Sequence, residues 1–153
     1  MHGSRNTSAE SSFRCLHCGL EVLCDPSLAG VQNRNHCPYC LWSRHLDARV
    51  AGDRGSGCRA SMEPIGLTLK RSRNKYATER DGELMLVHRC TICAKVSINR
   101  IAADDSVAAI TDLFARSSAD AELAEYLTTQ GIDLLTGADA ELVQRRLFGS
   151  SPR

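Results

Sequence analysis

Apolar and polar positions alternate with two different periods along the chain, and the change falls near residue 104. In KVSINRI, residues 95–101, Val96 and Ile98 stand among polar neighbours ahead of Arg100. That two-residue repeat predicts a half-buried strand. PIGLTLK (64–70) and ELMLVHR (83–89) are more continuously apolar and flank a basic stretch, which predicts a hairpin. Beyond ADDS the repeat becomes helical. Val107, Ile110, Leu113 and Phe114 mark a first helix, with Asp104, Asp105 or Ser106 as its N-cap. Leu123, Tyr126 and Leu127, ahead of Gly131, mark a second, and Leu142, Val143 and Leu147 a third. Acidic residues near the helix starts, with Arg145 and Arg146 near the last end, suit the helix dipole. These stripes are expected to be core faces laid on the sheet or on one another.

Between the strand candidates the chain is punctuated by CGLEVLCDPSLAG, GDRGSG and RSRNKYATERDGE, the composition of short strands joined by turns. The opening MHGSRNTSAESS is small and polar, and residues 1–12 are expected to be disordered. The division that follows is a β module over 13–102 and a helical segment over 103–153. The fold class is α+β: a small zinc-ribbon-like antiparallel β module with two metal knuckles, followed by short C-terminal helices.

Composition changes this picture in one respect. Of 153 residues only 5% are aromatic, and eight are cysteines. A thin core in a small domain commonly needs a staple. The N-terminus lacks the apolar stretch of a signal peptide, and no run approaches the roughly 18 apolar residues of a membrane span. A reducing cytoplasm is therefore expected, where clustered cysteines more often bind metal than form disulfides.

The cysteines fall into patterns. Cys15 and Cys18, then Cys37 and Cys40, give C-x2-C-x18-C-x2-C, the spacing of a four-thiolate zinc site. Each C-x2-C bend places two sulfurs on one side of a turn whose amides can donate to them. Gly19, just after the first pair, accepts the left-handed backbone that closes such a bend. CPYC also has the letters of a glutaredoxin site. That chemistry needs a buried apolar strand before the motif, and here VQNRNH precedes it. Iron would also accept four sulfurs, and zinc is the expected ion. Its grip on these four thiols is expected to make residues 13–102 a folded object.

A second group is incomplete in sequence. Cys58, Cys90 and Cys93 supply three thiols, and a closed site needs a fourth ligand. His88, two residues before Cys90, would share its strand face and is the first candidate. His45 is the second, and an acidic residue, Cys24 or no site at all are the remaining options. Ala94 follows Cys93 where glycine would be easiest, at a cost of about 1 kcal/mol if the turn is left-handed. Cys24 pairs with nothing by spacing and is expected to be a free thiol. His17 and His36 lie inside and beside the first two knuckles, placed either to hydrogen-bond near the sulfurs or to face solvent.

FRCLHCG, RNHCPYCLWSRHLD, GDRGSGC, MEPIGL, VHRCTIC and NRIAADD, in that order, resemble the bacterial RNHCP-domain proteins, named for the letters from Arg34 to Pro38. The resemblance covers about residues 13–105. It implies zinc binding and supplies no reaction. Ala94 departs from the family, which tends to show Cys-Gly there, and the helices after 105 lie outside the resemblance.

Charge decides what such a module would meet. Residues 1–102 carry fifteen Lys/Arg and nine Asp/Glu, a net of +6, and residues 103–153 carry four and nine, a net of −5. Two zinc–thiolate centres would lower +6 to about +3. Lys70, Arg71, Arg73, Lys75 and Arg80 surround Tyr76, and Arg34 adds charge elsewhere. Cations beside an aromatic suit phosphate contacts and base stacking. The expected function is a zinc-stabilised binding module contacting RNA or a ribosomal component through Lys70, Arg71, Arg73, Lys75, Tyr76 and Arg34. A protein–protein adaptor is the alternative, followed by a zinc or redox sensor and a metal-dependent enzyme. No acid/base pair of diagnostic spacing and no phosphate-cradling glycine loop is present, so no enzyme is expected.

Overall fold

Six strands and three helices are described by a computed structural model covering residues 12–24, 36–45, 57–70 and 82–149. Strands β1 (Ser12–Arg14) and β2 (Glu21–Leu23) form a short antiparallel hairpin around the first knuckle. Strands β3 (Ser43–Arg44), β4 (Ser61–Lys70), β5 (Glu83–Cys90) and β6 (Val96–Arg100) form a second antiparallel sheet in chain order. The hairpin expected from 64–70 and 83–89 is the centre of this sheet. β4 begins earlier than its apolar run because Ser61 and Met62 pair with β3 on one side, and Met62 pairs with Cys90 on the other.

The β4–β5 ladder slips once. Pro64 faces His88 and Gly66 faces Val87, leaving Ile65 as the extra residue of a bulge. A Cβ at Gly66 would lie 2.4 Å from Leu134 Cδ1, so glycine lets the layer beyond come close. The outer edge of β4 is covered by the chain after the second helix. Leu135 N donates to Leu67 O at 2.9 Å, and Thr68 Oγ1 donates to Asp133 O at 2.7 Å, which blunts an otherwise open edge.

Each face of the sheet has its own core, because neighbouring strand residues point to opposite sides. Leu67, Leu84 and Leu86 pack with Leu41 against Ile110, Leu113, Leu135 and Val143. Ile65 and Val87 on the other side meet Leu127 and Leu134, with Val96, Ile98, Leu123 and Tyr126 around them. Helix α1 (Val107–Ser117) and helix α3 (Ala140–Phe148) thus cover one face, and α2 (Ala121–Thr129) covers the other. Fully burying each such side chain contributes roughly 1.5–3 kcal/mol, so the helices are integral to both cores.

The helix signals read from sequence find their places. Of the three candidates ahead of α1, Ser106 is the N-cap and accepts from Ala109 N. Asp120 caps α2 by accepting from Leu123 N. Gly131, with φ 78°, ends the turn after α2. Asp105 has another task, described below.

Candidate metal centres

Three knuckles share one backbone plan. Cys15 N donates to Leu20 O, Cys37 N to Trp42 O and Cys90 N to Lys95 O, at 2.9, 2.9 and 2.8 Å. Gly19, Leu41 and Ala94 each donate back to the first cysteine's carbonyl, and each is left-handed, at φ 81°, 70° and 67°. A left-handed residue costs an L side chain roughly 1–2 kcal/mol. The turn expected at Ala94 is therefore present, and Leu41 accepts the same strain without any warning in the sequence. Its side chain offsets that strain: it is 1% exposed and inserted into the core beside Leu67 and Leu86.

The first two knuckles face each other. Cys15 Sγ lies 3.6 Å from Cys40 Sγ, and Cys18 Sγ lies 3.6 Å from Cys37 Sγ. All four sulfurs fall within 4.8 Å of one another. A zinc–sulfur bond of about 2.3 Å puts the corners of a tetrahedron roughly 3.8 Å apart, so the group fits the ion. Cys18 N and Tyr39 N point at the Cys15 and Cys37 sulfurs, at 3.5 and 3.3 Å. Such amides stabilise thiolate charge.

The third knuckle meets a different arm of the sheet. Cys58, Cys90 and Cys93 gather with His45, again within 4.8 Å of one another. Cys58 Sγ is 3.5 Å from Cys90 Sγ, and Cys93 Sγ is 3.4 Å from His45 Nδ1. The β3–β4 ladder continues past its last strand pair through His45 N to Ala60 O and Arg59 N to His45 O. That ladder delivers His45 and Cys58 together to the end of β5. Three thiolates and one imidazole are a recurring structural zinc set.

His88, the expected fourth ligand, is not in this group. It points into the sheet core, fully buried, with Nε2 2.6 Å from Leu41 O and Nδ1 2.8 Å from Asn99 Nδ2. Nε2 donates to the carbonyl and Nδ1 accepts from the Asn99 amide, so the ring is neutral, and burial first of all, then the neighbouring His36, lowers its pKa to about 3. The physical reason is position along the strand. By parity His88 and Cys90 share a face with Leu84 and Leu86, but His88 lies within the sheet, over the core those leucines build, while Cys90 ends β5 where the chain turns into the third knuckle. Cys58 is a member of the ligand set.

Electrostatics differ among the thiols of the metal-free chain. Burial pushes Cys37 up to about 11 and raises Cys40 further. Burial also opposes ionisation of Cys15 and Cys90, but there the knuckle amides and neighbouring polar side chains win. Cys15 is lowered, and Cys90 falls to about 6. Cys15 and Cys90 are thus inclined to ionise, while Cys37 and Cys40 release a proton when the ion binds.

The other singled-out residues are placed as follows. His36 Nε2 lies 2.7 Å from Asp105 Oδ2, both buried, and the same oxygen accepts from Ala102 N at 2.7 Å. His17 stacks on Trp42, with ring centres 4.1 Å apart and planes 3° from parallel. Cys24 follows β2 and belongs to neither ligand group. Lys70 is the exposed last residue of β4, whereas Arg34, Arg71, Arg73, Lys75 and Tyr76 lie outside the described residues. Of the two histidine candidates for the second group, His45, placed second in sequence, is the ligand, and the residue missed in sequence is Asp105 as the partner of His36. The choice of His45 had a signal, since the core inside the sheet claims His88, and Asp105 had none.

Two opposed knuckles over one ligand set, and a third knuckle closing on a His/Cys arm, define a zinc-ribbon-like module with two sites that could hold zinc. The RNHCP domain model matches residues 10–111, and the chain belongs to the RNHCP-domain family. No curated protein and no solved structure matches it. No helix among the described residues is long and apolar enough to cross a membrane.

Proposed function

We propose that the protein is a zinc-stabilised binding module that contacts RNA through the far end of the β4–β5 hairpin. The observation that carries this reading is the polarity of that hairpin. Its register runs from Met62 opposite Cys90, at the second ligand group, to Lys70 opposite Glu83. The connection between Lys70 and Glu83 carries Arg71, Arg73, Lys75, Tyr76 and Arg80. A metal-fixed base thus supports a long hairpin whose connecting sequence holds four cations and Tyr76, a composition that suits phosphates and unstacked bases. Arg100 Nε pairs with Glu83 at 2.7 Å and offsets the one acidic side chain opposite Lys70.

Four protein ligands in each group leave no position for a reacting water, which supports a binding role over catalysis. The test is capture from a cytoplasmic lysate with the zinc-loaded chain, with and without nuclease. Nuclease-sensitive recovery of RNA is expected, and the substitutions Arg71→Ala, Arg73→Ala and Lys75→Ala together should abolish it. Recovery of no RNA would remove the reading.

A protein-partner adaptor is the second reading, favoured by one observation. Leu16, Leu20, Leu23 and Tyr39 are all exposed around the first ligand group, an apolar lobe suited to a protein surface. A nuclease-resistant protein lost on Leu16→Ser and Tyr39→Ser would support it.

A further inference from the structure

The two halves of the first ligand set come from separate stretches of chain, and one contact between them involves no sulfur. His17 lies between the ligands Cys15 and Cys18, and Trp42 follows the ligand Cys40 by two residues. Their rings stack with centres 4.1 Å apart and planes 3° from parallel. Backbone groups fix each ring to its own knuckle. The His17 amide is directed at the Cys15 sulfur and the Trp42 amide at the Cys40 sulfur, and Trp42 O accepts from Cys37 N at 2.9 Å. Cys15 Sγ and Cys40 Sγ are in turn 3.6 Å apart. The two residues whose rings stack are therefore residues whose amides address neighbouring members of the ligand set. The apolar cluster beside them is Cys15, Val22 and Cys37, with Phe13 and Cys40 at its margin, so most of it is the ligands themselves.

We propose that His17 and Trp42 form a clasp across the first zinc site and set how slowly that site gives up its ion, which makes His17 a positioning residue of the site and not a ligand. A thiol that lets go of the ion must move away before the ion can be lost. While the rings stay stacked, the opposite knuckle stays in place, and the released thiol remains at high effective concentration. Cys18 is exposed, so a competing ligand can reach this set, and the clasp opposes the opening such a competitor needs. Stacked aromatic pairs contribute an amount that corresponds to roughly two- to twelvefold in a rate. Among the described residues no ring pair joins the two arms of the second group, which makes that site an internal control. The inference rests on the two ligand groups and holds whatever the module binds.

The test is zinc transfer from the full zinc-loaded chain to an excess of chromophoric chelator, followed by chelator absorbance and by tryptophan emission. Trp42 is the only tryptophan, so emission follows the first site while absorbance counts both ions. His17→Ala should speed loss of the first ion roughly threefold to tenfold and leave release from the second site unchanged. His17→Phe should restore the slow rate. His17→Leu should not, since leucine keeps bulk without a stacking plane. His17 is exposed, so these changes leave the cores intact, and thermal melting checks that. First-site release from His17→Ala within about twofold of the parent's, below what a stack contributes, would overturn the inference. So would a rate restored by leucine as well as by phenylalanine, which points to bulk alone, or an equal acceleration at both sites, which points to general loosening. A parent chain that takes up no zinc would remove the site and the inference with it.

Discussion

His36 and Asp105, 69 residues apart in sequence, meet at 2.7 Å in the interior. His36 begins the described part of the second knuckle, and Asp105 stands just before α1. A second tie runs beside it, from Ser106 N to Pro38 O at 2.8 Å. The metal-binding turn and the helical layer are thus joined at one buried point. Asp105→Ala removes the acceptor used by both His36 and Ala102 N. Losing a buried acceptor shared by two donors should destabilise the zinc-loaded protein by roughly 3 kcal/mol. Asp105→Asn keeps one oxygen and should cost less. Urea denaturation at fixed zinc measures both. Equal stabilities for the two variants and the parent would show that the contact is incidental.

The two histidines that compete for the second site separate cleanly by zinc content. His45→Ala removes a ligand from the group formed with Cys58, Cys90 and Cys93. Bound zinc should fall from two ions per chain to one, or be held far more weakly at the second site. His88→Ala should leave both ions in place. It strips Leu41 O and the Asn99 amide of a buried partner, so stability should fall by roughly 2–4 kcal/mol. Metal analysis after gel filtration, with thermal melts alongside, reads both outcomes. Zinc loss on His88→Ala and none on His45→Ala would reverse the assignment.

The three knuckles make a graded series at the left-handed position. Gly19 has no strain to relieve. Ala94, exposed at φ 67°, should gain about 0.5–1 kcal/mol on Ala94→Gly, the strain released less the greater freedom of the unfolded chain. Leu41 has a similar φ, but Leu41→Gly also empties a filled core position. That loss should exceed the strain and destabilise by roughly 2 kcal/mol or more. Opposite signs at two turns of the same geometry are the expected result, measured by denaturant midpoints.

What could be read from sequence follows from how local each signal is. Cys15, Cys18, Cys37 and Cys40 declare a shared site because two fixed spacings recur. The β4–β5 hairpin and the three helices declare themselves by period. His45 was obscured because its approach to Cys93 depends on a ladder through Ala60 and Arg59, which no spacing reveals. His88 has the parity of Cys90, which makes it a candidate by strand face, but its place beside Leu84 and Leu86 inside the sheet commits it to the core. Asp105 looked like a cap, since an acid before a helix usually is one. Its real partner is at the other end of the module. Local chemistry is written in short words of the chain, and long-range partners are not.

Metal removal should not unfold the whole module at once, contrary to the expectation that the first ion alone holds residues 13–102 together. The apolar mass at the first site is small: Cys15, Val22 and Cys37, with Phe13 and Cys40 at the margin. Strands β1 and β2 are three residues each, and an isolated two-stranded hairpin is marginal in water. Without the ion that lobe has little to hold it. The four-stranded sheet instead has apolar cores on both faces, completed by the helices. Chelation should therefore expose the amides of β1 and β2 to rapid hydrogen exchange and loosen the ends of β4 and β5 near Cys90. Leu67, Leu86 and Val87 should keep their protection. Readdition of zinc should restore the first group of amides. Simultaneous loss of protection at both sets would show that the cores cannot stand without the ions.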